Sequence, residues 1–167
     1  HDVVAFVANV SQNIGKDAQY LHKGLTSSDV LDTTLGVQLK AASDILLEDI
    51  DKLLGVLAKR AARCKDMVCI GRTHGIHAEP TTFGLKLALW FDEMKRNQKR
   101  LIEARKEVSI GKISGAVGTY ANVDPRVEAY ICKKLGLRAA PISTQVIQRD
   151  VYAQYMATLA VTGASLE

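Results

Sequence analysis

Apolar residues recur with a helical beat over most of the chain. Between residues 31 and 61 they fall at Leu31, Leu35, Leu39, Ala42, Leu46, Ile50, Leu53, Leu57 and Ala61, a mean step of about 3.75 residues against the 3.6 of an α-helix. No proline interrupts this run, and its glycines, Gly36 and Gly55, are isolated. The pattern predicts one helix from about residue 29 to residue 64, far longer than the globular mean of about 11 residues. A second long helix is predicted from about residue 82 to residue 110, with Phe83, Leu87, Trp90, Met94, Leu101 and Val108 on or near one face. Helices of this length need neighbours of similar length, so the expected fold is all-α, an extended long-helix bundle.

Shorter elements flank these two. Val3, Val4, Phe6, Val7 and Val10 predict a helix over residues 1–16, already under way at the first residue. Asp124 and Pro125 are an N-cap and first-turn pair for a short helix carrying Val127, Ile131 and Leu135, with Lys133 and Lys134 in its last turn and Gly136 to stop it. After Pro141, Ser143 or Thr144 is the expected cap of a final helix. Gly111, Gly115 and Gly118 mark a loop that matches neither GxxxxGK[ST] nor GxGxxG and follows no strand, which argues against a nucleotide-cradling loop.

The stretch 71–84, GRTHGIHAEPTTFG, lies between the long helices and gathers two imidazoles, a guanidinium, a carboxylate and three threonine hydroxyls. Gly75, Pro80 and Gly84 forbid a regular helix across it, so its polar groups are expected on a bent connector, with 67–70 extended before it.

Composition narrows the class. With 47% apolar and only 5% aromatic residues, the 167-residue chain suits closely packed helices. Three cysteines without a CxxC pair, and no N-terminal signal-like apolar stretch, predict a reducing cytoplasm. No apolar run approaches the ~20 residues of a membrane span. The formal charge of +4 raises nucleic acid as a partner, yet the densest basic run, 95–106, is interleaved with Glu103 and flanked by Glu93 and Glu107 at helical spacing and carries no aromatics. It reads as a solvated helix face rather than a phosphate-tracking stripe.

Four polar clusters stand at expected helix boundaries: His1 with Asp2; His22 with Thr26, Ser27 and Ser28; Thr73 with His74 and His77; and Ser143 with Thr144, Gln145 and Arg149. Helix N-termini attract anions. The plain alternative is that each hydroxyl is a cap, and Asp29 and Asp32, in the first turn beside Thr26 and Ser27, would compete with a bound anion. For His74 and His77, with Glu79 nearby, three readings stay open: a metal site, a structural pair, and acid/base chemistry near neutral pH. HxxH on a broken connector lacks the fixed face that a helix gives HExxH. A Ser-His-Asp hydrolase lacks its GxSxG elbow and parallel sheet.

Five segments taken together are more specific than any one of them. HDVVAF, HKGLTSSDVLDTT, GRTHGIHAEPTTFG, GKISGAVGTYAN and STQVIQRD, in that order and spacing, resemble the adenylosuccinate lyase family of the fumarase/aspartase superfamily over essentially the whole chain. The carboxymuconate cycloisomerases have a similar TS-D-DT segment but typically lack a histidine in the position of His74, and argininosuccinate lyases and fumarases differ around their serine-rich segment.

The resemblance implies a helical bundle of the fumarase/aspartase type, with residues 1–26 closing an N-terminal helical domain and 27–167 beginning the central long-helix domain. It implies cleavage of a C–N bond by β-elimination, without cofactor or metal, on a small purine nucleotide: adenylosuccinate to AMP and fumarate, and the succinyl-carboxamide ribotide to its aminoimidazole product. His74 would be the general acid. Thr73, Thr26, Ser27 and Gln145 would hold the succinyl portion, His22 would face the phosphate, and His1 and Asp2 would line the same pocket; His77 would orient its neighbours. The family's serine-containing mobile loop, which carries the proposed base, has no counterpart among these residues, so the chain is expected to be a fragment, inactive alone. The family's homotetramer, with active sites shared between subunits, is expected as well. The rivals are another lyase or cycloisomerase of the superfamily and, from a different class, a non-catalytic helical interaction module.

Overall fold

The computed structural model describes residues 2–167. In chain order the elements are α1 (Asp2–Ser11), a 3-10 turn (Gly15–Tyr20), α2 (Ser27–Arg63), β1 (Val68–Thr73), β2 (Ile76–Thr82), α3 (Phe83–Val108), β3 (Ile110–Gly111), α4 (Pro125–Leu135), β4 (Arg138–Ala139) and α5 (Asp150–Ala164). Helix dominates, and the two sheets have two short strands each. Among the described residues no helix is long and apolar enough to cross a membrane.

The chain forms two compact units. One comprises residues up to Lys40 together with Lys106–Val151, and the other Ala41–Arg105 with Tyr152–Glu167. In the first, Val108, Ile110, Ile113, Cys132, Leu137 and Ile147 form the apolar core, and β3 pairs parallel with β4. In the second, Ile50, Leu54 and Leu57 of α2 lie buried, as do Met94 and Leu101 of α3 and Tyr155 of α5.

Both long helices form as their periodicity predicts, and α4 has its expected ends. The Asp124 carboxylate accepts from the Arg126 N–H at 2.8 Å, and Gly136 closes the helix at φ 65°, in the left-handed region.

Three expectations change. The N-terminal helix ends at Ser11 rather than near residue 16, giving way to the 3-10 turn. The final helix begins at Asp150, not at Ser143 or Thr144: the Ser143 hydroxyl is bonded to that of Ser114 at 2.8 Å, and Asp32 holds the segment out of the helix by accepting from the Ile147 N–H at 2.8 Å and from Arg149 at 3.0 Å. On α2 the buried line is partly polar. Asp29, Asp32, Thr33 and Ser43 are buried, while Leu31 and Leu46 of the apolar stripe are exposed.

Candidate functional site

The connector 71–84 is an antiparallel hairpin. Thr73 pairs with Ile76, so the loop is only His74 and Gly75. Both have positive φ, 53° and 76°. A two-residue turn with both residues left-handed matches the right-handed twist of the strands it joins, and histidine is among the few side chains that tolerate that region. His74 is thereby held at the hairpin tip, one residue from Thr73. A register shift lies between Ile70 and Arg72, at Gly71, where a Cβ would come within 2.9 Å of the Glu79 carbonyl oxygen. Residues 72–80 are all exposed. This corrects the expectation that the His74 cluster stands at a helix boundary; the residue that caps α3 is Thr82, whose hydroxyl accepts from the Leu85 N–H at 3.2 Å.

Arg72 and His77 face each other across the hairpin, with the guanidinium 3.4 Å from His77 Nε2. In this contact the guanidinium can only donate, which leaves Nε2 the accepting side. His77 is tied to its own hairpin. No group of acidic, histidine or cysteine side chains suited to a metal ion occurs among the described residues.

The other candidate residues lie in the first unit. Thr26 immediately precedes α2, and Ser27 is its first residue. Gln145 Nε2 donates to the Thr26 hydroxyl at 3.4 Å, so the structure brings Thr26 and Gln145 together across 119 residues of chain. His22 has a left-handed φ of 62°, and its buried Nε2 has no hydrogen-bond partner. The turn it belongs to is pressed against residue 122: a Cβ on Gly24 would lie 2.1 Å from the Asn122 carbonyl oxygen. Asp2 is exposed at the start of α1, where its carboxylate accepts from the Val3 N–H at 2.9 Å. His1 lies outside the described residues.

The two carboxylates that would compete with an anion beside Thr26 and Ser27 are both engaged. Asp32 serves the 147–149 segment. Asp29 is fully buried and forms an ion pair with Lys112, which is fully buried too. It also accepts from the N–H groups of Thr26 at 2.8 Å and of Ser114 and Gly115 at 3.2 Å each. Sequence reasoning read the loop around Lys112 only as glycine-rich and passed over the lysine. The signal was there in outline: a lysine among small and apolar residues with no acid at helical spacing, and two carboxylates near one helix's start, Asp29 in its first turn and Asp32 just beyond it, with no local counter-charge.

With this geometry in view, comparison with known proteins is specific. A family model described as a lyase matches residues 1–167. The adenylosuccinate lyase of Bacillus subtilis (strain 168) is 58% identical over all 167 residues, and that of Staphylococcus saprophyticus subsp. saprophyticus is 53% identical over the same span. The chain spans 39% of the length of each of these relatives. Among solved structures, a fumarate lyase from Mesorhizobium sp. BNC1 superposes with a TM-score of 0.91 at 32% identity, over 98% of this chain and 39% of that one. The 3-carboxy-cis,cis-muconate lactonizing enzyme of Pseudomonas putida gives 0.88 at 30%, over 98% and 38%. Matched along its entire length by the family model, the chain belongs to this lyase family.

Proposed function

We propose that the chain is the part of an adenylosuccinate lyase that carries the general acid and most of the succinyl-binding groups. The observation that carries this reading is the 58% identity to an adenylosuccinate lyase over every residue of the chain, against 30% to the muconate lactonizing enzyme. In the reaction a base takes the proton from the carbon beside a succinyl carboxylate, and that carboxylate holds the resulting charge. The C–N bond then breaks as the C=C bond of fumarate forms, and His74 gives its proton to the departing nitrogen. Thr73, Thr26, Ser27 and Gln145 donate to the succinyl carboxylates. Preorganised donors at developing charge are commonly worth about a hundredfold each in rate. His22, Asp2 and His1 line the nucleotide side, and the base is a serine outside these residues. Neither cofactor nor metal takes part.

The exposed hairpin and the long helices favour an oligomer. Ile45, Val56, Leu85 and Leu89 are each more than half exposed on α2 and α3, more apolar surface than a lone chain ordinarily leaves in water. We assign it to a tetramer in which neighbouring copies supply the rest of each site, in the cytoplasm, with residues 1–26 and 27–167 in successive domains of the complete protein.

The test is fumarate release by the product of the complete reading frame, offered adenylosuccinate, argininosuccinate and carboxymuconate in parallel. Turnover of adenylosuccinate alone is expected, and none by the isolated 167-residue chain. Preference for either other substrate overturns the assignment.

A further inference from the structure

We propose that Lys112 is a positioning residue for dicarboxylate binding, acting through Asp29: it cancels the negative charge of this buried carboxylate, which is bonded to the Thr26 N–H, and ties Gln145 to the same place. The inference rests on the reading of Thr26, Ser27 and Gln145 as succinyl-binding groups.

Lys112 is fully buried, and its ammonium joins two segments of that site. Its ammonium pairs with Asp29 and donates to the carbonyl oxygens of Gln145 at 3.0 Å and Gly115 at 3.3 Å. Three donors with three acceptors leave the cation satisfied. Its backbone is clamped as well, since the Thr33 hydroxyl accepts from the Lys112 N–H and donates to the Lys112 carbonyl oxygen, each at 3.0 Å. Asp29 in turn accepts from the Thr26 N–H. One buried cation thus reaches Thr26 through Asp29 and Gln145 through its carbonyl, and the Gln145 side chain closes the ring on the Thr26 hydroxyl. A lysine is needed rather than any donor because an unpaired carboxylate this close to a bound dianion repels it through a medium that screens poorly.

The experiment uses the product of the complete reading frame and reads inhibition by the two products separately. In Lys112→Met the Ki of fumarate is expected to rise about tenfold or more, as when a buried charge loses its partner, while the Ki of AMP stays within about twofold. The double variant D29N/K112M, neutral again behind Thr26, recovers at least about threefold of that loss. An unchanged fumarate Ki in K112M, a parallel rise in the AMP Ki, or no recovery in the double variant overturns the proposal. Should K112M fail to fold, the double variant decides: fumarate binding weakened about two- to fivefold with AMP binding unchanged is expected, and any other pattern overturns it. Wild-type enzyme that does not cleave adenylosuccinate refutes the functional reading instead, before any variant is compared.

Discussion

The Tyr120 hydroxyl donates a 2.7 Å hydrogen bond to Glu128, whose other carboxylate oxygen accepts from the Ile113 N–H at 2.7 Å. Glu128 lies buried on α4 and so fastens the glycine-rich loop at both ends of its span. The bond to Glu128, and then burial, push the Tyr120 phenol up from 10.0 to about 12. A folded pKa above the unfolded one means stability that is fully present below pH 10 and lost as pH rises from 10 towards 12. Tyr120→Phe should cost about 1–2 kcal/mol at neutral pH by leaving a charged acceptor short of a donor. The gap between wild type and variant in urea denaturation should then narrow through that alkaline window.

Two glycines in the same helix should respond to alanine with opposite signs. Alanine is worth up to about 1 kcal/mol over glycine inside a helix. At Gly55 a Cβ meets nothing within 4 Å, so Gly55→Ala should stabilise by about 0.5–1 kcal/mol. At Gly36 a Cβ would lie 2.2 Å from the Ile110 carbonyl oxygen, and Gly36→Ala should destabilise by about 2 kcal/mol or more despite the better propensity. Thermal denaturation of both variants checks the pair. A destabilised Gly55→Ala would place a second copy against that face.

Burial, with the nearby Glu128 charge second, pushes the Cys132 thiol up to about 11. The thiolate is the reactive form, so Cys132 should resist iodoacetamide in the native protein. Cys64 is buried too, while Cys69 on β1 is half-buried. Mass spectrometry after labelling at about pH 8 should find Cys69 modified first, and all three cysteines modified only in denaturant.

The long helices were legible because a period near 3.6 sustained over dozens of residues has no competing reading. The ends of α4 were legible because Asp124, Pro125 and Gly136 each act locally. The buried side of α2 was not. An apolar stripe says which residues shed water somewhere, not which neighbour covers them, and Asp29, Thr33 and Ser43 are buried by partners remote in sequence, Asp29 by a lysine 83 residues away. The hairpin escaped for another reason: with 72–80 wholly exposed, its strands show no alternation of apolar and polar residues, and His-Gly is a weaker turn signal than Asn-Gly or Asp-Gly. The gathering of polar side chains in the 71–84 stretch was visible all the same, because it depends on residue types and not on which backbone carries them.

His74 holds a position that turn chemistry would give to asparagine, and this separates its structural part from the catalytic one proposed for it. At φ 53° a side chain pays for crowding against the following carbonyl, roughly 1 kcal/mol for an ordinary residue and less for asparagine, which tolerates the left-handed region. Stability should therefore rank His74→Asn at or slightly above wild type, with His74→Ala lower by about 0.5–1 kcal/mol. Activity should follow a different order. On the proposed role of His74 as general acid, both variants of the complete enzyme should release fumarate about a hundredfold or more slowly, while helicity and assembly match wild type. A histidine kept only to shape the turn would show activity tracking the turn, and the asparagine variant would then remain nearly as fast as wild type. Measuring melting temperature and turnover on the same three proteins therefore decides the role of this residue.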